Sequence, residues 1–231
     1  MGLADWTRYR TDNPDVLVIG MQAFSAKVVE VMRISGWNPI GVASPEFELP
    51  ADADQPRADF EGLPYIGTIG TLCEDNANLP ARSCFLAVGD AAFRSKVYRT
   101  LRSRLRFVSI IHPSASVSPT SKIGDGVFVG AMAVLDPHTV IGPMCVVNNC
   151  CNVSHHSVLE ACTKLGPGAI ILGSCYLHAG SYVGANATLL PHVEIAEDVT
   201  VGAGAVLLRS VDDPSVLYVG VPAGFKKIKS K

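Results

Sequence analysis

Adjacent histidines, His155 and His156, stand in a stretch whose other residues are mostly small or aliphatic. Gly173 follows His155 by eighteen residues, and His156 follows His138 by the same eighteen. An imidazole can take a proton from a nucleophile, and a glycine N–H with no Cβ in the way can steady a developing oxyanion. Those are the two needs of acyl transfer from a thioester to an amine or hydroxyl. Asn148, seven residues before His155, adds an amide to the same stretch. The base and oxyanion donor read from this spacing are His155 and Gly173.

What makes eighteen the relevant number is the repeat that holds these residues. From Ile111 to Leu207 every sixth residue is aliphatic, seventeen in a row, through Val117, Ile123 and Val129 to Ile195 and Val201. Four places after each stands a small or β-branched residue, such as Ala115, Cys145, Cys151, Ser157, Cys175 or Ala205. A fixed short period marks a solenoid in which each repeat buries its apolar face only by stacking on its neighbours. Three hexads make one triangular coil of a parallel β-helix, so residues eighteen apart lie above one another at about the 4.8 Å strand spacing. His155 is then one rung below Gly173, and His138 one rung below His156. No hexad is interrupted, which predicts a smooth prism. Glycine often follows the aliphatic residue, as at Gly124, Gly130, Gly142, Gly166, Gly184 and Gly202, and is read as serving tight turns.

Residues 15 to 110 alternate differently. Val16–Ile19 is a short apolar run ending at Gly20. Ala26, Val28, Val29, Met32 and Ile34 then fall near helical spacing, and Pro39–Val42 returns to strand. Cys84–Val88 ends in Gly89 and Asp90 and precedes a helix with Phe93, Val97, Leu101 and Leu105 at i+4, and Phe107–Ile110 closes the sheet. The pattern is a small Rossmann-like α/β domain over 1–110, before a β-helix domain over 111–231. Ligands of such sheets bind outside the carboxyl ends of the strands, which makes Gly20, Gly89 and Asp90 the candidate acceptor contacts. Arg94, Lys96, Arg99, Arg102, Arg104 and Arg106 crowd the last helix and its exit, and are read as a solvated face rather than a phosphate grip. The acidic, proline-rich stretch 44–61 is read as a surface loop.

The whole chain has 231 residues and a net charge of −2, which leaves no footprint for a nucleic-acid partner. No run reaches the roughly 18 apolar residues of a membrane span, and the first residues lack a signal-peptide core, so a cytoplasmic protein is expected. The seven cysteines form no CxxC pair, and those in the hexads are read as packing residues.

With both halves in view, the chain resembles the hexapeptide-repeat acyltransferases, and among them the bacterial nucleotide-amino-sugar N-acetyltransferases and sialic acid O-acetyltransferases. The resemblance is carried by Gly62-Leu63-Pro64, Val88-Gly89-Asp90, His112-Pro113-Ser114-Ala115 and the segment from Asn148 to Gly173. It implies a left-handed helix, a homotrimer, acetyl-CoA as cosubstrate without a metal, and an amino-sugar or sugar-nucleotide acceptor destined for surface glycans. It also implies a catalytic set of His155, His156, Asn148 and Gly173. Beyond Gly173 the coil edge is read as continuing with Ala185 and Ala203, small residues that leave room for a pantetheine arm, with Lys226 and Lys227 meeting the 3′-phosphate.

Three positions depart from the family's pattern. The first βα turn, Gly20-Met21-Gln22-Ala23-Phe24-Ser25, lacks its histidine. Gly41-Val42-Ala43-Ser44-Pro45 lacks the aspartates expected after the next strand, and His156 replaces a carboxylate after the base. A neutral His156 cannot raise the basicity of His155 as a carboxylate would. Other readings stay open: a hydroxyl acceptor, a non-catalytic solenoid, or zinc binding as in γ-class carbonic anhydrases, although Glu160 and Ala161 stand where that pattern needs a further histidine.

Overall fold

The computed structural model describes residues 15–46, 59–74 and 79–227, and its chain divides into two compact units between Ile110 and Ile111. In the first unit, β1 (Asp15–Ile19) has Val16 to Ile19 fully buried, which is why it reads as a continuous apolar run rather than an alternating one. Helix α1 (Ala23–Ile34) buries Val28, Val29, Val31 and Met32, and ends at Ser35 and Gly36, the latter with φ 79°. After β2 (Asn38–Ser44) come β3 (Asp59–Phe60), β4 (Leu63–Thr68), the short α2 (Ile69–Cys73), β5 (Ser83–Leu86), α3 (Ala91–Leu101) and β6 (Arg106–Phe107).

The strand order is β3-β4-β2-β1-β5-β6, parallel except for the β3–β4 hairpin. That hairpin turns on Glu61 and Gly62, both at positive φ (53° and 73°), as a two-residue hairpin loop requires. The sequence reading of 44–61 as loop thus holds Asp59–Phe60 in a strand, while 47–58 lie outside the described residues. The closing strand is also shorter than read. Arg106 and Phe107 pair with Ser83 and Cys84, whereas Ile110 belongs to the first strand of the following solenoid.

Helix α3 corrects the reading of its basic residues. Lys96, Arg99, Arg102 and Arg106 are exposed, but Arg94 is 1% exposed, and its guanidinium donates to the carbonyls of Val88 (3.2 Å) and Gly89 (2.7 Å). A charged group tolerates burial only with such partners. Arg94 therefore ties down the turn that leaves β5.

The second unit is the prism. Seventeen two-residue strands, from β7 (Ile110–Ile111) to β23 (Val206–Leu207), recur every six residues and stack in three parallel sheets. The register is eighteen throughout, as in Phe128↔Val146, Val146↔Lys164 and Lys164↔Tyr182. Aliphatic residues such as Val147, Leu165 and Val183 point inward at 0% exposure, and no loop interrupts the coils. A last pair, β24 (Val216–Val219) and β25 (Gly224–Lys227), extends one face, with Lys226 and Lys227 opposite Leu217 and Val216. The side chains of these lysines lie outside the described residues.

From the corner after Ile123 to the corner after Val201 the geometry is the same. The third residue after the aliphatic one sits in the left-handed region, for example His138 (φ 64°), His156 (60°), Ser174 (59°) and Asp198 (58°). The glycines directly after the aliphatic residue are not in that region, so their reason differs from the tight turns read from sequence. A Cβ on Gly166 would lie 2.5 Å from the N of Ala185, and one on Gly184 2.5 Å from the N of Ala203. These glycines let successive coils touch.

One place past the left-handed residue, the small buried position donates upward. Cys145 reaches the carbonyl of Glu160 (2.9 Å), Cys151 that of Gly166 (3.1 Å), Ser157 that of Leu172 (3.0 Å) and Cys175 that of Leu190 (3.1 Å). Burial pushes the Cys151 thiol up to about 11, so it stays protonated at neutral pH.

Candidate functional site

The prism has three edges, and where each candidate falls follows from its place in the eighteen-residue coil. The edge after Val153, Ile171 and Leu189 carries His155 and His156, then Gly173 and Ser174, then Pro191 and His192. Both histidines are exposed. The His155 ring lies close against the next coil: an ideal Cβ on Gly173 would stand 2.6 Å from its Cε1 and 2.8 Å from its Nε2. Only glycine leaves room for the ring.

Gly173 also supplies a donor. At the second place of every corner the backbone N–H has no carbonyl partner, and six of these places, 113, 119, 137, 143, 167 and 191, are proline, which has none to offer. The carbonyl of Gly173 accepts from His192 N (3.0 Å), and its N–H makes no hydrogen bond among the described residues. One edge thus joins an exposed imidazole to a vacant backbone donor, the pair that acyl transfer uses.

His156 turns its Nδ1 to within 3.1 Å of Nδ1 of His155, and its ring centroid lies 5.0 Å from that of His138 on the coil below. Among the described residues no group of three or more His, Cys, Asp or Glu is placed to hold a metal ion.

The remaining candidates fall on another edge. Asn148 heads the corner after Val147, so it opens the prism face that His155 closes, with Asn152 and Val153 between. At about 3.3 Å per residue that face separates them by on the order of 15–20 Å. Ala185 and Ala203 share a column with Pro167, on the edge of Asn148. The sequence reading of one edge running from Gly173 to Ala185 and Ala203 fails because 173 and 185 differ by twelve, two-thirds of a coil.

The third edge holds a group that the reading missed. Glu160 and His178 are eighteen apart, as are Tyr176 and Glu194, so the signal was in the sequence. His178 Nε2 meets Glu194 Oε1 at 2.7 Å and its Nδ1 lies 3.4 Å from Glu160 Oε2, while Tyr176 OH donates to Glu160 Oε1 at 2.6 Å. The hydrogen bond to Glu194, with both carboxylates nearby, raises the His178 pKa. The Tyr176 hydroxyl chiefly lowers that of Glu160.

In the α/β unit, the strand order runs outward in both directions from β1 and β5, and the crevice at their carboxyl ends is the usual ligand position. Pro45, Glu46, Val88, Asp90 and Phe93 line a cavity of about 320 Å³ there. Gly20 has φ 132°, and a Cβ on it would meet the Ala87 carbonyl at 2.7 Å. The Gly89 carbonyl is held by Arg94, and Asp90 caps α3 by accepting from Phe93 N at 2.7 Å. Glu46 supplies a carboxylate one residue beyond the stretch in which the sequence reading found none. Near it, the Tyr65 hydroxyl is buried without a hydrogen-bond partner, and burial, with Glu46 second, raises its pKa.

The fold and this edge define a hexapeptide-repeat transferase. A family profile described as bacterial transferase hexapeptide (six repeats) matches residues 174–209. Perosamine N-acetyltransferase from Caulobacter crescentus, solved as a mutant with CoA and GDP-perosamine, is 31% identical over 93% of this chain and 97% of its own, with a TM-score of 0.83. The acetyltransferase domain of PglB from Neisseria gonorrhoeae, solved with acetyl coenzyme A, is 28% identical over 93% and 100%, with a TM-score of 0.81. WeeI from Acinetobacter baumannii shares the fold at 20% identity over 91% and 99%, with a TM-score of 0.75. The chain belongs to the hexapeptide-repeat sugar acetyltransferases, which place an α/β domain before a left-handed β-helix.

Proposed function

We propose that this protein moves an acetyl group from acetyl-CoA to the amino group of a nucleotide-linked amino sugar, in the assembly of surface glycans. The observation that carries this reading is the His155 imidazole lying against Gly173, whose N–H is unused, in a chain similar to an enzyme solved with CoA and GDP-perosamine. In this reading the sugar amine attacks the thioester carbonyl and His155 Nε2 takes the proton that the nitrogen loses. Gly173 N–H holds the oxyanion. The C–S bond then breaks, and CoA leaves as a thiolate that takes up a proton, giving an amide and free thiol.

The α/β unit is the acceptor-binding domain, with the crevice beside Gly20, Glu46, Gly89 and Asp90 receiving the nucleotide sugar. Two carboxylates there favour partners rich in N–H and O–H donors. The coenzyme track needs two copies of the chain. His155 and Gly173 occupy one edge while Asn148, Ala185 and Ala203 occupy another, so a closed ring in which one copy's edge faces the next copy's other edge joins them in one cleft. Three copies form that ring.

Incubation with acetyl-CoA and a panel of amino-sugar nucleotides, followed by mass spectrometry, tests the reading. One acetyl group on the sugar nitrogen supports it. Acetylation only of hydroxyls contradicts it.

A further inference from the structure

His156 is fixed at the start of its side chain by its turn, with φ 60° and its N–H donating to the Pro137 carbonyl at 3.2 Å. From that base its Nδ1 comes within 3.1 Å of Nδ1 of His155, the two rings crossing at 80°. Two imidazole nitrogens at this separation share one hydrogen, so one ring carries it and the other presents a lone pair. The far edge of His155, Cε1 and Nε2, is the one turned to Gly173. Only when His155 carries the Nδ1 proton does its Nε2 have a lone pair for the acceptor's proton.

We propose that neutral His156 is a positioning residue whose Nδ1 accepts a hydrogen bond from His155 Nδ1–H. It thereby holds the base in the tautomer with a free Nε2 beside Gly173. Elsewhere a carboxylate or carbonyl does this for a working histidine, and no carboxylate among the described residues bonds to either ring here. The other titratable groups on the three stacked turns of this edge are Asp136 and His138 below and Cys175 above, whose pKa burial raises. The left-handed turn sets the direction of the His156 Cβ, and its ring stacks beside that of His138 on the coil below, centroids 5.0 Å apart. The inference rests on the reading of His155 as the base.

Nitrogen-15 NMR of the histidine side chains reads the tautomer directly, with the His155 signal assigned by its loss in His155→Ala. The expected wild-type form has His155 protonated at Nδ1. His156→Gly keeps the left-handed turn but removes the acceptor, and should shift His155 to the Nε2–H form. In the same variant kcat should fall at least roughly tenfold, the lower end of what losing a partner behind a metal-bound histidine costs, with KM for both substrates little changed. His156→Asp, which restores an acceptor, should recover most of the loss. His155 protonated at Nε2 in the wild type overturns the proposal. So does an undiminished kcat in His156→Gly, or a loss that His156→Asp fails to recover. Full activity in His155→Ala overturns instead the base reading beneath it.

Discussion

An imidazole can come this close to the coil above it only where that coil has no side chain, and Gly173 meets this condition above the His155 ring. The contact makes a prediction that separates chemistry from folding. In Gly173→Ala the new Cβ displaces an exposed ring, which can swing into solvent, so thermal stability should hold while kcat falls at least about tenfold through loss of alignment. Unchanged kcat would show that the ring's position does not matter. The pairing of His155 with Gly173 was legible in the sequence because the hexads are uninterrupted and eighteen is a whole coil. The meeting of two Nδ1 atoms was not, since it depends on ring rotations that no spacing encodes. Burial of Arg94 was also hidden. Its residue type argued for solvent, whereas the carbonyls of Val88 and Gly89, just past the end of β5, accept from its guanidinium.

Regular hexads make the elements of the prism readable, yet the edges they define were partly misread. Ala185 and Ala203 sit on an edge away from Gly173. Their small side chains still leave room for a pantetheine arm supplied across a cleft between copies. Ala185→Leu should therefore raise KM for acetyl-CoA more than KM for acceptor, and equal increases would place the arm elsewhere.

The third edge predicts a pH effect on stability. His178 has a raised pKa, so its contribution is fully present below the unfolded value of about 6.5 and is lost as pH rises through the folded value. Glu160 has a lowered pKa, so its contribution is present above about 4.3 and is lost as pH falls through its folded value. Both act together between those limits. Thermal melts should show His178→Gln costing more at pH 5.5 than at pH 8.5, modestly and less so in high salt because the group is partly exposed. An equal cost at both pH values would mean that the carboxylates do not hold the imidazolium.

At the scale of the molecule, one chain cannot bring Asn148 to His155, because a full prism face lies between them. If neighbouring copies supply the two residues to one cleft, Asn148→Ala and His155→Ala should complement each other. Mixed and reassembled, they should regain about a quarter of wild-type clefts, since each cleft needs the right variant on each side. Light scattering should give three copies per particle. A monomer, or no gain on mixing, would leave Asn148 outside the site. The central claim is that the edge of His155 and Gly173 acetylates an amino sugar, and thiol release answers it most directly. With acetyl-CoA and the best amino-sugar nucleotide of a panel, the wild type should release free CoA only when acceptor is present. His155→Ala should do so roughly 10² to 10⁴ times more slowly. No acceptor-dependent release from the wild type, or equal release from His155→Ala, would contradict the account.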